Sequence, residues 1–236
     1  MKTNAEFKNT ALAALKGNWA PAVLATAVFM LVGLVYTAPS SIWQILHPDF
    51  QDQMTQAAVT QNVAEMMPLY ASLLRLSSLA FLFAVFFYSV VEVGYCNAFV
   101  CLLRSGDAAL TENMFKIAFK NYWHKVWGIF LMGIFIVLWT CLFILPGIVK
   151  AFSYAMTPFI LEDRPELSAN EAIDLSRAMM KGHKFDLFYL YLGFIGWFLL
   201  CLLTLGIGFL WLAPYMQSAE AAFYEEVKAE YAERAL

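Results

Sequence analysis

The sequence predicts an all-α polytopic membrane protein with six transmembrane helices and three cytoplasmic interfacial amphipathic helices. Three observations carry this expectation. First, 61% of the 236 residues are hydrophobic and only 14% are charged, with a mean hydropathy of +0.64. Soluble domains average about 45–50% apolar and about 25% charged, so the excess apolar surface calls for lipid as its solvent. Second, apolar runs near the roughly 20 residues needed to cross a bilayer recur along the chain. Third, thirteen of the fifteen Lys and Arg fall in segments 1–18, 104–125, 162–184 and 225–236, with only Arg75 and Lys150 elsewhere. The positive-inside rule places those four segments, and so both termini, in the cytoplasm.

Thr3-Asn4-Ala5-Glu6 has the spacing of a capping box and opens the first amphipathic segment, 3–16, with Phe7, Ala11, Ala14 and Leu15 on one face. This opening is polar, with no short apolar stretch before a small-residue cleavage site, so the first span is expected to stay in the membrane. That span runs from Trp19 to about Thr37. Residues 38–70 are read as an extracytoplasmic insertion without Lys or Arg, with a short helix at 53–66. The second run, 72–103, is longer than a bilayer requires and ends at Arg104-Ser105-Gly106-Asp107.

Residues 111–122 form the second amphipathic segment, with Met114, Ile117 and Ala118 on one face. Span three follows from Trp123 to Leu145, and Pro146-Gly147 is expected to turn the chain into a short span four, 147–161. Glu162-Asp163-Arg164-Pro165-Glu166 reads as a solvated turn. A second capping box, Ser168-Ala169-Asn170-Glu171, then starts the third amphipathic helix, 169–181. Span five covers 185–205, Gly206-Ile207-Gly208 permits a tight turn, and span six covers 208–224.

The chain is thus read as one integral membrane domain, 1–236, built as a threefold internal repeat with units 1–107, 108–165 and 166–236. Each unit is an amphipathic helix, a junction of basic and aromatic residues, and a helical hairpin. The junctions contain Lys16 and Trp19, Lys120 and Trp123, and Lys181, His183, Lys184 and Phe185, while Tyr95, Tyr154 and Tyr215 align in the second helices. A lysine beside an aromatic at the edge of a span suits the headgroup layer, where the ammonium meets phosphate. These junction residues are therefore the expected lipid-headgroup contacts.

Ionisable groups inside a span are the default functional candidates. Glu92 lies twelve residues before Arg104 and Lys150 twelve before Glu162, which puts the two at equal depth and predicts a Glu92–Lys150 ion pair. Its role stays open between structural bridge and gate. Pro158 and Pro214 either shape packing or kink their helices. Cys96, Cys101, Cys141 and Cys201 all lie in apolar runs and read as packing residues, with a Cys141–Cys201 disulfide as the alternative. The three histidines have no nucleophile or carboxylate at a catalytic spacing, and no phosphate loop or metal-ligand motif is present. No catalytic residue, cofactor or metal is expected, and the net charge of -3 argues against a nucleic-acid partner.

Leu145-Pro146-Gly147-Ile148, Tyr154-Ala155-Met156, Glu171-Ala172-Ile173, Ser176-Arg177, Met180-Lys181-Gly182-His183 and Gly193-Phe194-Ile195-Gly196-Trp197, with the opening NAEFKNTALAALKGNW, resemble the bacterial domain of unknown function 975 family. That family is similar to the membrane domain of some glycerophosphodiester phosphodiesterases, without their active site. The resemblance implies an uncharacterised multi-pass protein of the bacterial cytoplasmic (inner) membrane and transfers no catalytic residue. The functional expectation is a non-enzymatic, lipid-engaging scaffold or partner-binding protein, with anionic membrane lipids, a protein partner or a second copy as its partners. The alternative is a small transporter or channel using Glu92 and Lys150.

Overall fold

In an apolar solvent the backbone must satisfy its own hydrogen bonds, and helices do this within each segment. The computed structural model describes residues 2–60 and 63–234, with helices and no strand among them. Cα packing divides it into two units. One comprises Met1–Phe29 with Ser89–Leu236, the other Met30–Tyr88.

The second unit holds the later part of α2 (Trp19–Leu46), α3 (Phe50–Val59), α4 (Val63–Phe83) and a π-helical segment, Ala84–Tyr88. The helix expected at 53–66 is therefore split between α3 and the start of α4, with residues 61 and 62 of that prediction outside the described residues.

The first unit holds α1 (Asn4–Leu15), the start of α2, α5 (Ser89–Ser105), α6 (Leu110–Phe119), α7 (Tyr122–Leu142), α8 (Ile144–Tyr154), α9 (Thr157–Asp163), α10 (Ala169–Met179), α11 (Lys184–Leu192), α12 (Ile195–Leu203) and α13 (Phe209–Arg234). Its core is built around α5 and α13. Val91, Val93, Phe99, Phe223 and Tyr224 are buried, and Tyr224 stacks on Phe159 of α9.

Both predicted capping boxes form. The Thr3 and Ser168 side chains accept from the Glu6 and Glu171 amides, and each glutamate reaches back to the cap backbone. The Ser168 hydroxyl and amide donate to Glu171 and hold its carboxyl below the usual carboxylate range. Helices α1 and α6 bury the expected faces, and α10 buries Ala172, Ile173, Ser176 and Met179, but against protein. Phe7 meets Phe223 at 5.4 Å between ring centroids, and Leu110, Met114 and Ala118 of α6 are buried while the helix lies along α5.

Gly94 is what lets α6 lie so close. A Cβ at this position would run into the Met114 carbonyl and stand 3.0 Å from Ala118 Cβ. Gly94→Ala is expected to lower stability by about 1–2 kcal/mol, since overpacking costs about 1–3 and the helix-propensity gain returns roughly 1. Thermal unfolding in mild detergent checks this, and an unchanged midpoint would show that α6 sits further from α5.

Four helical stretches are long and apolar enough to cross a membrane: Met66–Ser105, Tyr122–Leu142, Ile144–Asp163 and Lys184–Leu203. A fifth arises if Asn4–Leu15 and Trp19–Leu34, bent by 99°, count as one. The expected sixth span is the start of α13, where Gln217, Ser218 and Glu220 followed by Glu225 and Glu226 dilute the apolar run. The π segment interrupts the first of these stretches.

Two turns differ from expectation. The chain breaks at Phe143, in extended conformation, and Pro146 falls inside the first turn of α8, where its missing N–H costs nothing. Gly147 instead allows close approach, since a Cβ there would come within 2.8 Å of Thr140 Cα. Pro158 likewise opens α9 instead of kinking a continuous helix. The Gly206 turn forms as expected, with φ of 54° at Leu205 and 89° at Gly206.

Candidate functional site

The densest polar construction lies at the end of the first unit where α1, α6 and α10 attach, and it is centred on Asp163. This carboxylate ends α9 and is only 9% exposed. It accepts two hydrogen bonds from the Arg104 guanidinium of α5, at 2.8 and 2.7 Å. From α13 it accepts the Tyr224 hydroxyl at 2.7 Å and the Lys228 ammonium at 2.6 Å. Arg104 also donates to Glu225. One side chain thus ties the ends of α5 and α9 to the body of α13. The paired fork of Arg104 gives this contact direction as well as charge. The sequence reading of 162–166 as a solvated turn holds for the exposed Arg164–Glu166 part and is corrected for Glu162 and Asp163, which end α9 and act as anchors.

Glu162, the neighbouring acid, pairs with Lys125 of α7 at 2.7 Å and with Lys120 at 3.5 Å. Lys125 is completely buried, and its ammonium also donates to the carbonyls of Ile117 and Lys120. It therefore closes the end of α6, where helix carbonyls lack intrahelical partners. Comparable attachments hold the other junctions. Lys2 pairs with Glu226 at 3.1 Å, and the His183 ring lies 3.2 Å from both Asp186 and the Arg234 guanidinium.

The expected headgroup residues divide accordingly. Lys16 and Lys181 are exposed, Trp123 is 71% exposed, and Trp19 and Lys184 are half-buried. Lys120 is exposed although it reaches Glu162. His183 is buried against its acidic and basic neighbours, which leaves it no open face for a phosphate.

Glu92 and Lys150 are not paired. The Lys150 ammonium lies 4.4 Å over the Trp139 ring and 5.9 Å from that of Tyr154, a cation–π arrangement. Glu92 instead shares the interior of the bundle with Glu220 of α13. The Tyr191 hydroxyl faces Glu220, and the Cys96 thiol lies beside Gln217 and both carboxylates. Among the described residues no basic side chain reaches either acid. Equal depth places Glu92 beside Lys150 in the sequence reading, but Glu92 faces α13 while Lys150 faces Trp139 of α7. All four cysteines are free, and no group of three potential metal ligands occurs among the described residues.

The apolar helices, broken turns and charged end define a polytopic α-helical chain of membrane-protein type. Residues 144–231 match the model of a family described as protein of unknown function (DUF975). That stretch, which contains α8 to α12 and most of α13, is what the chain shares with this family. No curated protein and no solved structure matches it.

Proposed function

We propose that this is a six-span protein of the bacterial inner membrane, with cytoplasmic termini and a threefold internal repeat, that engages anionic lipid without catalysing a reaction on it. Two recurrences support the repeat. Gly17, Asn121 and Gly182, each following the junction lysine, share a left-handed backbone, with φ of 84°, 52° and 97°. Tyr95, Tyr154 and Tyr215 each meet an aromatic residue from the first half of the same hairpin, respectively Phe29, Trp139 and Phe194.

The observation that carries the function is the set of exposed cations and rings left after the apolar faces of α1, α6 and α10 are spent on protein packing. Lys16, Lys120, Lys181, Trp123 and Phe185 remain outward. Near an anionic surface each basic residue contributes about 1 kcal/mol, roughly five-fold in partitioning. Nanodiscs of mixed phosphatidylglycerol and phosphatidylcholine test this. Wild type is expected to enrich phosphatidylglycerol in a salt-sensitive way, and Lys120→Gln with Lys181→Gln to reduce that enrichment several-fold. Enrichment indifferent to both salt and these variants would sink the reading. A bound polar solute, lost in Glu92→Gln or Glu220→Gln, would point instead to transport through the polar interior.

A further inference from the structure

A groove of about 470 Å³ opens between α1, the start of α2, α12 and α13. That is within the roughly 300–1,000 Å³ range of pockets that hold small ligands. Leu12, Trp19, Trp197, Cys201, Trp211 and Tyr215 form its walls. Along α12 the lining runs from Trp197 to Thr204, about 10 Å at helical rise, or a third of a hydrocarbon core of about 30 Å. Its far end is fixed where α12 and α13 touch, since a Cβ at Gly208 would come within 2.8 Å of Cys201 Sγ.

The chemistry of the lining selects the occupant. Thr204 adds a hydroxyl, but it already donates to the Cys201 carbonyl and accepts from the Gly208 amide. No charged side chain lines the walls, so a polar solute would lose its hydration without replacement. Cations stand at the α1 end instead. Lys8, Leu12 and Lys16 follow one another at four-residue intervals, which places them on one stripe of α1 and its cap. The Lys8 ammonium is held by the Gly193 carbonyl at 2.6 Å and lies over the Phe194 ring. Lys16 is exposed and has no carboxylate partner among the described residues.

We infer that this groove binds one acyl chain of an anionic phospholipid, with Lys16 meeting its phosphate at the rim. This rests on the lipid-engaging reading above and narrows it to a single site. Native mass spectrometry of protein released from nanodiscs of equimolar phosphatidylglycerol and phosphatidylcholine tests it. Wild type is expected to retain one phosphatidylglycerol per chain. Leu200→Trp and Leu12→Trp, each adding bulk at an exposed position lining the groove, are expected to reduce retention at least five-fold. Lys16→Gln is expected to abolish the preference for phosphatidylglycerol over phosphatidylcholine. Undiminished retention in either tryptophan variant that melts like wild type, or an unchanged preference in Lys16→Gln, overturns the inference. Lys120→Gln and Lys181→Gln leave this single lipid in place, so the groove and the wider cationic surface fail separately.

Discussion

Asp163→Asn is expected to unfold at a markedly lower temperature than wild type, with a loss of about 2–4 kcal/mol. Removing one member of a buried ion pair costs about 3–5 kcal/mol, chiefly because the partner charge is left without compensation. Here Arg104 and Lys228 are 39% and 37% exposed, so water offsets part of that cost. Asparagine keeps one acceptor oxygen but loses the charge shared by Arg104, Tyr224 and Lys228. Because these groups form one network, Arg104→Ala should add little once Asp163 is already Asn. Thermal unfolding of both singles and the double in mild detergent supplies the cycle. Additive losses, or a single loss below roughly 0.5 kcal/mol, would show that α5, α9 and α13 are held by packing alone.

Lys125→Met should be comparably damaging, at about 3 kcal/mol. The ammonium is wholly buried, and its removal leaves Glu162, which is itself mostly covered, with only the longer and exposed Lys120 contact, and leaves two carbonyls at the end of α6 unmatched. A buried acceptor left unmatched costs more than the bond it once made contributes. The discriminating variant is therefore the double Lys125→Met/Glu162→Gln, which is expected to recover part of the loss by removing the stranded charge. If Lys125→Met alone melts like wild type, the lysine is not the closure of α6.

Local signals in the sequence were legible where a few adjacent residues decide the outcome. Thr3 with Glu6 and Ser168 with Glu171 cap their helices as their spacing requires. Phe7, Met114 and Ala118 face inward as helical periodicity demands. The Asp163 cluster was illegible because its partners lie 59 to 65 residues away, and nothing local distinguishes it from an acid in a solvated turn. Lys125 was hidden for the same reason, counted only as one more cation at the edge of a span. Depth can be estimated by counting residues from a span's edge, but the direction a side chain takes around the helix depends on packing. That is why Glu92 meets Glu220 while Lys150 turns to Trp139.

Chain order also gives the Asp163 cluster a place in time. As synthesis proceeds, Arg104 emerges first and Asp163 later, so α5 and α9 can be joined by this one bridge. Tyr224, Glu225 and Lys228 arrive only with the last helix. A nascent chain stalled before them leaves Asp163 short of two donors and Arg104 short of its second carboxylate. Docking of α13 thus closes, like a latch, a bridge that α5 and α9 can already have formed.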